Sequence, residues 1–164
     1  MTPRTSLLVF VLLFAAVFSV LQLGFLSAGR SAEYWLVDRA TVAVAAFVIG
    51  VLDAPAEVRA EGPRLVSPGA RLLVLRGCEG TELYFLWIAG VLAFPAPWRY
   101  RIAGLLAGIL AAFCLNQLRV VGLFYIVRDY RQHFELAHAY VAPTLFVVLL
   151  GVMFWRWTIA VPAR

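Results

Sequence analysis

The chain has 164 residues, 63% of them hydrophobic and only 14% charged, with a mean hydropathy of +0.89. A soluble domain of this size has too much surface for its volume to hide that much apolar material, so the composition excludes an ordinary water-soluble fold and calls for a bilayer as solvent. The net charge of +5 comes from 14 arginines and no lysine, scattered over loops and helix ends as interface anchors, which excludes the clustered basic patch of a nucleic-acid binder.

Residues 7–26 form an apolar run about one bilayer crossing long, roughly 20 residues. The run exceeds the about 7–15 apolar residues of a cleaved signal peptide, although "LSA" at 26–28 is a weak cleavage-like site. Residues 1–30 are therefore expected to be a retained anchor. The next apolar run, "ATVAVAAFVIGVL" at 40–52, is helical in character but marginal for a crossing by itself. It either spans with help from residues 34–37 or lies re-entrant or flat at the interface. Residues 53–77 are the main aqueous segment. "SPG" at 67–69 signals a turn, and the flanking "EVRAEGPRLV" and "RLLVLR" are expected to pair as a short β-hairpin.

Three further apolar segments follow. Residues 83–94 contain Trp87 and end at "PAPWRYR", an interfacial turn over 95–101. Residues 102–127 are long enough to cross with tilt. After the polar "RDYRQHFELA" at 128–137, the last span runs over 138–157 and closes with "WRW", an aromatic and arginine anchor. The expected fold is an all-α membrane protein with four or five transmembrane helices and a short extracytoplasmic β-hairpin-like segment before Cys78. It is expected to form a single membrane-embedded domain over 1–164. The turn at 95–101 carries Arg99 and Arg101, and the C-terminus carries Arg156 and Arg164, all without acids. Arg128 and Arg131 tie with the turn by count. The positive-inside rule places the turn, the C-terminus and Arg4 in the cytoplasm and residues 53–82 outside, provided 31–52 does not cross fully.

Two cysteines make no disulfide framework. Cys114, in "LAAFCLNQ", reads as a small buried hydrophobe. Cys78 differs, because "RGCEGTE" places it between Gly77 and Glu79 at the mouth of a helix. Gly77 and Gly80 permit close backbone approach, and a helix start stabilises a thiolate, although Glu79 and Glu82 oppose one. An incidental thiol is the alternative. Arg119 lies about 18 residues into the returning helix, a rise of about 27 Å, which brings it back to the level of Cys78. It sits inside an apolar run, where a guanidinium costs about 2.5–3.5 kcal/mol at a helix centre; such a group marks a functional site unless it snorkels to the headgroups. Asn116, at i−3, is placed to orient it. The short loop then delivers His138 to the same side, with His133 as its more solvated competitor. Sulfur, guanidinium and imidazole on one face fit acyl transfer: Cys78 as nucleophile, His138 as base and acid, Arg119 stabilising the oxyanion.

"GCEG" before one span, "NQLR" late in the next and the histidine opening the last resemble the exosortase/archaeosortase family of membrane cysteine transpeptidase-like enzymes. "FPAPWRYR", "LFYIVR" and "FELAHAYV" are most similar to its compact exosortase H subgroup, and the resemblance covers roughly residues 35–158. It implies cleavage of C-terminal sorting signals, each a short motif, a transmembrane helix and a basic tail. Cleavage would occur at the extracytoplasmic face of a bacterial inner membrane, with transfer to an acceptor nucleophile that the sequence does not identify. Position by position, the family's cysteine, arginine and histidine fall on Cys78, Arg119 and His138, and Asn116 matches the asparagine before the arginine. Glu79 departs from the small or polar residue frequent after the cysteine. No cofactor or metal is implied, and two histidines without HExxH disfavour a metalloprotease. The rivals are a non-enzymatic membrane subunit and a transporter component whose Arg119 binds an anion. Neither needs the thiol.

Overall fold

The computed structural model describes residues 3–75, 78 and 80–162. Inside lipid an open segment can satisfy all its backbone groups only as a helix, and the apolar runs of this chain are helical. Helix α1 (Pro3–Glu33) passes through a π-helical stretch, Tyr34–Ala43, into α2 (Val44–Leu52). The path bends at Gly29, whose φ of 55° and ψ of −134° are open to glycine and strained for other residues. The bend divides α1–α2 into a first arm, residues 7–28, and a second arm, residues 30–52. A sheet follows, then α3 (Thr81–Ala93), α4 (Trp98–Asp129), the short α5 (Phe134–Leu136) and α6 (Ala142–Ala160). Three helical runs, Leu7–Leu52, Trp98–Asp129 and Arg131–Ala160, are long and apolar enough to cross a membrane, and Thr81–Ala93 is a shorter apolar helix. The molecule is an all-α membrane protein with a small extramembrane sheet.

That sheet has three antiparallel strands, β1 (Arg59–Glu61), β2 (Arg64–Val66) and β3 (Arg71–Leu73), in the order β1-β2-β3. The expected hairpin is β2–β3, closed where Ser67 Oγ accepts from the Ala70 N–H at 3.0 Å. The stretch read from sequence as its first strand is itself folded in two. Gly62, at φ 56°, turns the chain so that Arg59 pairs with Val66.

The helices pack as a bundle whose contacts fix their directions. Phe10 and Phe14 share an apolar groove with Gly90 and Phe154, and the Phe25 ring meets Phe85 edge-on at 5.9 Å. Trp87 Nε1 donates to the Gly104 carbonyl (2.9 Å), and a Cβ on Gly108 would overlap the Trp87 ring, so Gly108 lets α3 and α4 approach closely. Trp157 Nε1 donates to the Tyr100 carbonyl (3.1 Å), and Arg101 donates to that of Phe94 (3.1 Å). The start of α1, the turn after α3 and the end of α6 therefore share one end of the bundle.

The second arm does not return to that end. It runs beside the latter half of α4 in the same direction, with Gln117 Nε2 donating to the Ala40 carbonyl (2.9 Å) and Arg128 Nη1 bound to Asp53 Oδ2 (2.7 Å). Val37, Thr41, Ala45 and Ile49, one residue per turn, form its buried stripe. The apolar members of that stripe join Leu65, Leu72 and Val74 of the sheet and Val120, Leu123 and Phe124 of α4 in one core. At 32 residues α4 is about 48 Å long, well beyond a hydrocarbon thickness of about 30 Å, so its last third carries this second core as a head on the bundle. Cys114 is exposed on α4, not buried as its apolar setting implied. Lipid is as apolar as a core, so hydropathy does not say which of the two a residue faces.

Candidate active site

Cys78 lies on the loop from β3 to α3, where the sheet meets the bundle. Its N–H donates to the Leu75 carbonyl (2.9 Å), which folds the chain back towards the helix. Gly80 then caps α3 at φ 77°, and its carbonyl accepts from the Leu83 N–H at 3.0 Å. A side chain at Gly80 would be strained by that backbone and would also come within 2.9 Å of Asn116 Cγ. Asn116, only 1% exposed, is thus packed against the loop that presents the thiol. That contact braces the Cys78 loop. Gly77 and Glu79 lie outside the described residues, and Glu82 is exposed in the first turn of α3.

His138 belongs to a π-helical turn, Ala137–Val141, between α5 and α6. Such turns interrupt the regular helical repeat and are frequent at functional sites. The imidazole stacks on the Phe134 ring, with centroids 5.3 Å apart and an interplanar angle of 5°. Its Nε2 lies 3.9 Å from Cys78 Sγ, and its Nδ1 lies 3.3 Å from Arg119 Nη2. The structure brings sulfur, imidazole and guanidinium into one chain of contacts, although the three residues come from a loop, a π turn and a helix. Arg119 also lies over the Phe146 ring at 5.9 Å, and its Nε has no hydrogen-bond partner among the described residues. His133 is exposed in the turn Arg131–His133.

All three side chains are half-buried and open into a pocket of about 160 Å³ whose other walls are Leu72–Leu75, Val120, Leu123 and Phe134. These walls lower the local polarity and strengthen the electrostatic contacts inside. A guanidinium donates and never accepts, so the contact with Nδ1 requires a lone pair there and puts the ring proton on Nε2, facing the sulfur. In that tautomer Nε2 can donate to the sulfur but cannot take a proton from it. Taking a proton from a thiol at Nε2 requires the opposite tautomer and release of Arg119 from Nδ1.

Sequence reasoning missed Phe134 and Phe146. Phe134 had a signal in its i, i+4 spacing to His138 on one helix face. Phe146 lies two turns beyond the histidine, and nothing local in the sequence links it to Arg119.

Comparison with known proteins adds one match. The family model described as transmembrane exosortase (Exosortase_EpsH) fits residues 2–155, nearly the whole chain. No curated protein and no solved structure matches the chain. With that match, and with the bundle, head and pocket described above, the chain belongs to the transmembrane exosortase family, multi-pass membrane proteins with a transpeptidase and sorting role.

Proposed function

We propose that this protein is a cysteine transpeptidase or protease that cleaves C-terminal sorting signals of exported proteins through a thioester on Cys78. The single observation that carries this reading is the contact chain from Cys78 Sγ to His138 Nε2 (3.9 Å) and from His138 Nδ1 to Arg119 Nη2 (3.3 Å). In the resting site Arg119 caps Nδ1. When a substrate carbonyl enters the pocket, the guanidinium turns to its oxygen, and the ring changes tautomer by exchange with water, Nε2 losing its proton as Nδ1 gains one. Nε2 then accepts the thiol proton, and the sulfur attacks the carbonyl carbon. The tetrahedral oxyanion is held by Arg119, and its collapse breaks the C–N bond as Nε2 returns the proton to the leaving amine. Water or an acceptor nucleophile, deprotonated by the same imidazole, releases the acyl group.

Residues 1–164 work as one domain, with 1–30 as its anchor and 53–77 in its extracytoplasmic part. Arg99, Arg101 and Arg156 gather at the end of the bundle away from Cys78, which supports a site on the outer side of a bacterial inner membrane. The substrate's own apolar helix lies beside the bundle, and its scissile bond reaches the pocket from the head side.

The test is direct. Membranes carrying the protein are mixed with a fusion ending in a sorting signal and quenched in acid, and the Cys78 peptide is examined by mass spectrometry. The expected result is an acyl adduct on Cys78, with Cys78→Ala folded but inactive. Normal processing by Cys78→Ala ends the enzyme reading and leaves the scaffold and transporter rivals.

A further inference from the structure

The strand that leads into Cys78 has one side without a partner. In the β2–β3 hairpin the Ser67 N–H donates to the Ala70 carbonyl and the Val74 N–H donates to that of Pro63. Hydrogen-bonded pairs alternate with non-bonded pairs along an antiparallel ladder, so Ala70, Leu72 and Val74 face β2. Arg71 and Leu73 therefore turn their N–H and C=O groups to the other side, where β3 is the edge of the sheet and pairs with no strand among the described residues. Leu75 follows the same parity, and its carbonyl is already taken by the Cys78 N–H.

Beyond that edge lies open space. An outer pocket of about 410 Å³ is bordered by β3 and by Arg131, Gln132 and Glu135, and the inner pocket of about 160 Å³ holds Cys78, Arg119 and His138. Leu72, Leu73 and Phe134 line both, so the two pockets adjoin along β3 on the way to the sulfur. We propose that the outward edge of Arg71–Leu73 is the docking rail for the substrate polypeptide, which adds to the sheet as a fourth, extended strand and so carries its scissile bond to Cys78. This rests on the nucleophilic role given to Cys78 above.

Backbone pairing gives affinity without demanding sequence, and alternate side chains meet the two pockets. A second copy of this chain is a poorer occupant: β3 has three residues and carries an exposed arginine, the features that blunt edge-to-edge association. The continuity of the edge with the pocket of Cys78 favours a peptide.

The experiment compares two reagents on the full-length protein in nanodiscs, read at the Cys78 peptide by mass spectrometry. Iodoacetamide reports the thiol alone. Acetyl-tetraalanyl chloromethyl ketone reports the thiol plus strand docking, and its analogue with N-methylated amides cannot pair. The wild type is expected to react about tenfold faster with the first ketone than with the analogue, as one or two lost hydrogen bonds imply. Leu73→Pro, which removes one outward N–H at an edge position that tolerates proline, is expected to abolish that preference when each ketone rate is divided by the variant's own iodoacetamide rate. Leu73→Val keeps the N–H and is expected to keep the preference. Equal rates for the two ketones on the wild type overturn the proposal without any variant. So does a folded Leu73→Pro that keeps the preference, or one that changes only the oligomeric mass, which would assign the edge to a second copy. A wild-type Cys78 no more reactive to iodoacetamide than Cys114 would instead remove the nucleophile reading, and the docking rail with it.

Discussion

Arg119 is the residue on which substitution separates chemistry from architecture. Its guanidinium reaches His138 Nδ1 in the resting site and, in the proposed mechanism, turns to the oxyanion formed at Cys78. Arg119→Gln keeps a polar group of similar length but loses the charge and the fork of donors. It is expected to lower kcat by about 10²–10³-fold, the effect of removing one oxyanion donor, with little change in KM. A turnover assay on a sorting-signal fusion checks this, and an unchanged kcat would leave Arg119 a purely structural arginine. Gly80 tests the other half of the site. Gly80→Ala adds about 1–2 kcal/mol of left-handed backbone strain and a clash with Asn116, so it should lower the melting temperature and slow Cys78 acylation. Adding Asn116→Ala removes the clash and not the strain, so the double variant should recover part of the loss. The convergence of Cys78, Arg119 and His138 was legible in the sequence because a rise of 1.5 Å per residue fixes the depth of Arg119 from its position alone. The brace of Asn116 on Gly80 was not, since it depends on how two helices meet.

The head is held to the bundle by packing more than by charge. Phe124 is fully buried among the second arm, the sheet and α4, and Phe124→Ala is expected to cost about 3–5 kcal/mol. The Arg128–Asp53 pair is short at 2.7 Å, yet both side chains are nearly 30% exposed, so Asp53→Asn should cost no more than about 1 kcal/mol. Thermal unfolding in detergent orders the two, and a reversed order would make the ion pair the main clasp. At this scale the sequence was half readable. The apolar runs and their lengths gave the helices, and "SPG" gave the β2–β3 turn. The bend at Gly29, the two π-helical stretches and the extra turn at Gly62 carry no hydropathy signal, because each depends on a backbone angle and not on what the side chains dissolve in. Cys114 shows the same limit from the other side: its setting is apolar whether it faces lipid or protein.

The whole molecule has a simple sidedness. The second arm climbs beside α4 and does not cross back, so the start of α1, the end of α6 and the 94–97 turn lie together, opposite the sheet. Alkaline phosphatase, active only when exported, is expected to be inactive when fused at either terminus and active when inserted at residues 67–69. The reverse pattern would invert the protein in the membrane. The length of α4 then takes on a further meaning. Arg119 stands 21 positions past Trp98, about 32 Å along the axis and close to one hydrocarbon thickness. A helix rooted at one leaflet and bearing its guanidinium at that height is a yardstick. Under the proposed function such a yardstick would select a bond by altitude above the lipid, and a substrate whose stem is lengthened by one helical turn would offer a different peptide bond to the same sulfur.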